Sequence, residues 1–226
     1  MRRSTTIATV ATIAVSVLAG SAEERFTTKN NNAIVVHPLV HASVRLDIGT
    51  TIVYVDPWSR ADLADAPPAD LILITDADAG AHHLDVSAIN TLRKNSTTIV
   101  IPASGKQKLP DGIVLANGNA RDFGTLHVES VSAYDILPGE PFHARGVANA
   151  YLLTVDGLRI LFAGVTECVP EIKALRNIDI AFLPMNLPNG RMTVEATAAC
   201  INELKPKVVY PYHYDQGYIA RLSGRG

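Results

Sequence analysis

Short apolar runs bounded by turn-forming residues recur along nearly the whole chain, which is the signature of buried and half-buried strands. Ala33–His37, Ala42–Ile48 and Thr51–Asp56 read as a meander, with Gly49-Thr50 at a tight turn. Leu71–Thr75 is a further strand, preceded by the Pro-rich segment Ala66-Pro67-Pro68-Ala69, and Thr98–Ile101, Gly112–Ala116 and Thr125–Ala133 follow. Tyr151–Val155 and Arg159–Ala163 are predicted to form a hairpin around Asp156-Gly157. Ile178–Leu183 and Val208–Tyr212 complete the strands. Helical spacing occurs at Val86–Lys94, with Ile89 and Leu92 on one face, and at Val194–Leu204. In the second helix Val194, Ala198 and Ile201 share a face, Thr193 is a fitting N-cap and Pro206 stands beyond the end. Helices fall between strands in both halves, and strands outnumber them. That predicts two sheets packed face to face with helices outside, rather than one doubly wound parallel sheet.

Composition supports one globular domain: 47% of the 226 residues are hydrophobic and 19% are charged. The first stretch stands apart. Arg2 and Arg3 precede an apolar segment from Ile7 to Ala19, then Gly20-Ser21-Ala22. This is the layout of a secretory signal, cleaved near Ala22, and the segment is too short for a convincing membrane span. The expectation is an exported protein, secreted or periplasmic, with residues 23–226 as a single domain. Removing residues 1–22 takes away two arginines and no acid, leaving 18 Lys and Arg against 22 Asp and Glu. That balance carries no basic footprint for nucleic acid. A membrane role after cleavage is not expected, and the chain is expected to be a monomer or weak dimer. Cys168 and Cys200 could form a disulfide in an oxidising compartment, although a buried free thiol is the commoner reading for a helical Cys200.

The densest chemistry lies at residues 71–85, Leu-Ile-Leu-Ile-Thr-Asp-Ala-Asp-Ala-Gly-Ala-His-His-Leu-Asp. A buried strand ends in a loop that carries Asp76, Asp78, His82 and His83, and such loops are where α/β folds place ligand and metal chemistry. The run is no EF-hand, because the third acid and the closing Glu are missing. Turn formation by the aspartates and a capping role for the histidines are the plainer alternatives. His213, at the end of the last strand between Tyr212 and Tyr214, is the best single candidate for a functional residue.

Six segments together resemble the metallo-β-lactamase superfamily, closest to its ascorbate-6-phosphate lactonase-like branch. They are His41-Ala42-Ser43-Val44-Arg45, Tyr54-Val55-Asp56-Pro57-Trp58, Leu71–Asp85, Phe162-Ala163-Gly164-Val165-Thr166-Glu167, Phe182-Leu183-Pro184-Met185-Asn186 and Tyr210-Pro211-Tyr212-His213-Tyr214. The resemblance implies an α/β (α+β) four-layer αββα sandwich with a metal site at one edge between the sheets. It also shows a degenerate motif. The family's His-x-His-x-Asp-His loop corresponds to Asp76, Asp78, His82 and His83. Val165 stands where a bridging aspartate is usual, and His143 and His213 match later histidine ligands.

The metal candidates are therefore Asp76, Asp78, His82, His83, His143 and His213, holding one zinc, manganese or iron ion, or none. Valine cannot bridge two ions, so at most one metal is expected. Asp78 and Glu167 are the candidate proton carriers. His41 is expected to be structural or to support a ligand, Asp56 to orient a ligand, and Asn149 and Glu167 to face the cleft. Two functions compete. One is a metal-dependent hydrolase of an ester, lactone or phosphodiester; the other is a non-catalytic protein that binds a small molecule or partner through the old cleft.

Overall fold

A computed structural model describes residues 23–77, 82–139 and 141–214. The signal reading of residues 1–22 and the candidate Asp78 lie outside the described residues.

Two sheets carry the chain. The first contains β1 (Glu24–Thr27), β2 (Ala33–Pro38), β3 (Val44–Ile48), β4 (Thr51–Val55), β5 (Ala69–Leu73), β6 (Arg93–Ile101) and β7 (Ile113–Val114), in that spatial order. The second contains β8 (Ala120–Phe123), β9 (Leu126–Ala133), β10 (Ala148–Val155), β11 (Leu158–Phe162), β12 (Ile180–Pro184) and β13 (Val208–Tyr212), also in sequence order. Each sheet begins as an antiparallel meander and then turns parallel: β4–β5–β6 in one, β11–β12–β13 in the other. Parallel neighbours need a crossover; a loop supplies it between β4 and β5, and helices supply it for β5–β6, β11–β12 and β12–β13. They are α1 (Val86–Leu92), α2 (Pro170–Lys173) and α3 (Val194–Leu204).

Three apolar clusters define four layers. The central one joins the inner faces of both sheets, from Val36, Leu46 and Leu73 to Leu153, Phe162 and Phe182. A second packs α1 residues Ala88, Ile89 and Leu92 against Tyr54, Ile72 and Ile74 on the outer face of the first sheet. A third packs Ile172, Cys200 and Leu204 of α2 and α3 against Leu152, Leu161 and Ala181 on the outer face of the second. The αββα sandwich follows directly, because each strand offers one face to the middle and one to a helix layer.

Several local expectations need correction. The first helix stops at Leu92, and β6 begins at once with Arg93 rather than at Thr98. In α3 the buried residues are Thr197, Cys200 and Leu204, while Val194 is exposed, so the helix is rotated from the predicted face. Cys200 faces Cys168 at a Cα separation of 5.8 Å, and the two form a disulfide rather than leaving a free thiol. His41 and Ala42 lie in the connection before β3, not in the strand. No helix among the described residues is long and apolar enough to cross a membrane.

Candidate metal centre

The C-terminal ends of β4, β5, β11, β12 and β13 converge where the two sheets meet, and the chemistry collects there. Tyr151 Oη donates to the Ile74 carbonyl at 2.9 Å, and the Asn149 N–H donates to the Thr75 carbonyl at 2.8 Å, locking one sheet to the other. Gly164 is needed at this seam. Its φ is +66°, and a Cβ there would stand 2.9 Å from the Thr75 Cβ and 3.1 Å from the Asn149 carbonyl oxygen.

Asp56 follows β4 with φ 44° and is fully buried. Its carboxylate accepts from the Thr75 N–H at 2.7 Å, from Thr75 Oγ1 at 2.5 Å and from His83 Nδ1 at 2.7 Å. A carboxylate only accepts, so His83 carries its proton on Nδ1 toward Asp56 and turns Nε2 the other way. That nitrogen lies 3.0 Å from Nε2 of His213. Asp85 fixes the loop that carries His83. It caps α1 by accepting from the Ser87 and Ala88 N–H groups and also holds the Ser59 N–H at 2.9 Å. Burial opposes ionisation of Asp85, but these hydrogen bonds keep its carboxyl below the usual carboxylate range.

Four of the chain's seven histidines meet here. His41, His82, His83 and His213 each offer a ring nitrogen, and these nitrogens all lie within 4.8 Å of one another. His83 and His213 are buried, while His41 and His82 are half-buried at the mouth. Burial pushes His213 well below the ordinary histidine value, and the neighbouring His41, His83 and His82 push it the same way. For His83 burial also opposes charge, but the Asp56 carboxylate outweighs it and raises the value. Burial thus favours the neutral ring of His213, whose nitrogen offers a lone pair where a metal cation would bind.

The donor set fits such an ion. Zn–N bonds of roughly 2.0–2.1 Å place tetrahedral donor atoms roughly 3.4 Å apart. The separation of 3.0 Å between His83 and His213 and the 4.8 Å limit for the whole set bracket that spacing. The hydrogen bond from His83 Nδ1 to Asp56 is the outer support that metal-bound imidazoles usually have.

The other sequence candidates are not members of this set. Asp76 and His143, expected among the ligands, lie beside it, close enough to act on the charge of His83, and Asp76 Oδ2 is 3.3 Å from His143 Nε2. His143 Nδ1 is 3.6 Å from Asp135 Oδ1, and Asp135 pairs with Arg191. Burial disfavours charge on His143, but Asp135 and Asp76 overcome it and raise its pKa to about 9. Two carboxylates, an imidazolium and a guanidinium thus balance inside the protein. Val165 offers no donor; it packs into the apolar cluster between the second sheet and the helices. Glu167, expected as a proton carrier, is buried and accepts from the Ile136 and Leu137 N–H groups at 2.5 and 2.8 Å, so it anchors a loop. Asn149, expected at the cleft, is buried in β10 and bonds Tyr151 Oη and the Leu115 carbonyl. His41 is the residue that sequence reasoning misplaced. It joins the histidine set rather than supporting it from behind, and only its place in the first matching segment pointed to the site.

Comparison with known proteins agrees with this architecture. Residues 36–213 match the sequence profile of the family described as "Beta-lactamase superfamily domain". The chain is 28% identical over 196 residues to a UPF0173 metal-dependent hydrolase of Lysinibacillus sphaericus, covering 77% of this chain and 82% of that protein. A UPF0173 metal-dependent hydrolase of Thermococcus onnurineus is 27% identical, with 78% and 83% covered. The crystal structure of a candidate metal-dependent hydrolase from Parabacteroides distasonis superposes with a TM-score of 0.83 at 38% identity, covering 91% of this chain and 94% of that one. With the sandwich, the seam and the matched segments in place, the chain belongs to the metallo-β-lactamase superfamily.

Proposed function

We propose that this protein is an exported, single-metal hydrolase in which His41, His82, His83 and His213 hold the ion. The observation that carries the reading is the convergence of those four imidazole nitrogens within 4.8 Å. Zinc and iron suit imidazole donors better than manganese does. Such an ion supplies Lewis acidity, acidifying water and polarising an acyl oxygen. The chain's own residues do the rest. Asp56 fixes the tautomer and direction of His83, Thr75 holds Asp56, and the buried position of His213 keeps its nitrogen unprotonated. Asp76 and His143 stand outside the set of four imidazoles, which supports one ion rather than two.

The relatives' printed names support metal-dependent hydrolysis, and the resemblance to lactonase-like hydrolases supports an ester or lactone as substrate. The Cys168–Cys200 disulfide supports an oxidising compartment, as the signal reading of residues 1–22 requires. The test is hydrolysis of p-nitrophenyl butyrate by the mature protein with and without added metal. Metal-dependent turnover that vanishes in His83→Ala is expected; turnover that is absent, or indifferent to metal, overturns hydrolysis. One observation favours a non-catalytic ligand-binding role instead: four imidazoles fill a tetrahedral ion, so hydrolysis needs a fifth position for water or the release of half-buried His41 or His82. Bound metal without turnover on any ester, lactone or phosphodiester would select that role.

A further inference from the structure

Trp58 is buried, yet it belongs to none of the three apolar clusters that join the sheets and helices. A buried tryptophan normally packs its large apolar surface into such a core. This one faces histidines. Its ring centroid lies 5.8 Å from that of His41 and 6.1 Å from that of His82, with interplanar angles of 58° and 67°. His41 and His82 meet each other nearly edge-on at 5.0 Å and 82°, so the three rings close a triangle. These two histidines are the half-buried members of the metal set. The backbone around Trp58 is fixed on three sides. Asp56 accepts from His83 Nδ1 through its carboxylate and from Ser43 Oγ through its carbonyl, the latter at 2.6 Å. The Ser59 N–H donates to Asp85, the cap of α1, at 2.9 Å. The Ala61 N–H donates to the Trp58 carbonyl at 2.9 Å and closes a turn. The residues flanking Trp58 are therefore tied to the segments that carry His41 and His83, which holds the indole against the rings it touches.

We infer that Trp58 is the positioning residue for His41 and His82: its ring holds both imidazoles in the direction that offers a nitrogen to the ion. The inference rests on the single-metal reading. His83 is held by the Asp56 carboxylate, and His213 is buried. Rings at a half-open mouth otherwise sample several rotamers, and ordering them on binding would subtract from affinity. Packing that locks the rotamers before the ion arrives removes that cost. An indole suits the task because its flat face meets one imidazole edge without competing for the ring nitrogens that face the ion.

The test measures Zn²⁺ affinity of the mature protein by competition with a chromogenic chelator, beside Trp58→Leu, Trp58→Phe and Leu63→Ala. Trp58→Leu should bind roughly tenfold more weakly or worse, the loss expected when a support behind a metal ligand is removed. Trp58→Phe keeps a flat ring and should stay within about threefold of the wild type. Leu63 is buried in the apolar cluster under α1. Leu63→Ala should therefore lower the melting temperature of the metal-free protein and leave the affinity unchanged, which separates positioning from general loss of packing. A second readout needs no variant. Trp58 is the only tryptophan in the chain, so bound Co²⁺ should quench the emission, with saturation at about one equivalent. Equal affinity in Trp58→Leu and the wild type, an equal loss in Trp58→Phe and Trp58→Leu, an equal loss in Leu63→Ala, or emission that bound Co²⁺ leaves unchanged would overturn the positioning role. No metal on the wild type would instead overturn the single-metal reading, and this inference with it.

Discussion

His41 and His213 adopt the left-handed backbone conformation, with φ of 60° and 58°, and are joined by a hydrogen bond from the His213 N–H to the His41 carbonyl at 3.2 Å. Their ring centroids are 3.8 Å apart. A non-glycine residue in that region costs on the order of 1–3 kcal/mol, and such strain gathers at functional sites. The two residues come from different sheets, so their pairing clamps the seam and aims both rings at one point. The prediction concerns His41→Asn. Asparagine tolerates the left-handed region, so thermal stability of the metal-free protein should change by less than about 1 kcal/mol. Metal should still raise the melting temperature of the wild type and raise that of the variant much less. Differential scanning fluorimetry with and without metal reads both.

Asp56 accepts three hydrogen bonds at the seam, and its removal should act twice. Asp56→Ala leaves Thr75 and His83 without their buried acceptor, a change that costs about 3–5 kcal/mol when a buried charged pair is broken. It also frees the His83 ring, and losing such an outer support weakens metal binding by roughly 10–100-fold. Asp56→Asn keeps an acceptor and should recover much of the stability with less of the affinity. Denaturant unfolding and metal titration on the two variants separate these effects.

The charge cluster around His143 predicts a pH dependence of stability. The folded pKa is about 9, above the usual value of about 6.5. Stability from the protonated ring is therefore fully present below about pH 6.5 and is lost as pH rises through 9, up to about 3 kcal/mol in all. His143→Gln should flatten the fall between those two values. Urea unfolding of both proteins from pH 6 to 10 checks the sign.

Cys168 and Cys200 are 32 residues apart, and the cross-link ties the segment before α2 to α3. Loop-closure entropy for that separation is worth about 3–4 kcal/mol. Reduction with a thiol, or Cys200→Ser, should lower the unfolding midpoint accordingly without changing metal content.

Much of the fold was legible because strand periodicity is local. The boundaries of β13 and α3 match the reading from apolar runs and capping residues, and the hairpin at Asp156-Gly157 forms as the turn dipeptide dictates. Edge strands β1 and β8 were not foreseen, since their residues are mostly exposed and carry no alternating pattern. The site was legible in part. His82, His83 and His213 could be found from a matched loop and a strand end. That His143 stays outside the set while His41 enters it depends on how two sheets meet across more than a hundred residues of chain. Glu167 looked available because its loop lies near the cleft; only the backbone N–H groups of Ile136 and Leu137 reveal that its carboxylate is already used.

The central claim is that four histidines, and not Asp76, hold a single ion. Elemental mass spectrometry of the dialysed mature protein tests it, with His213→Ala, His41→Ala and Asp76→Ala prepared alongside. The account predicts about one transition-metal ion per chain in the wild type and in Asp76→Ala. It predicts little or none in either histidine variant. Two ions per chain, metal lost from Asp76→Ala but kept in His213→Ala, or no metal in any of the four proteins would contradict it.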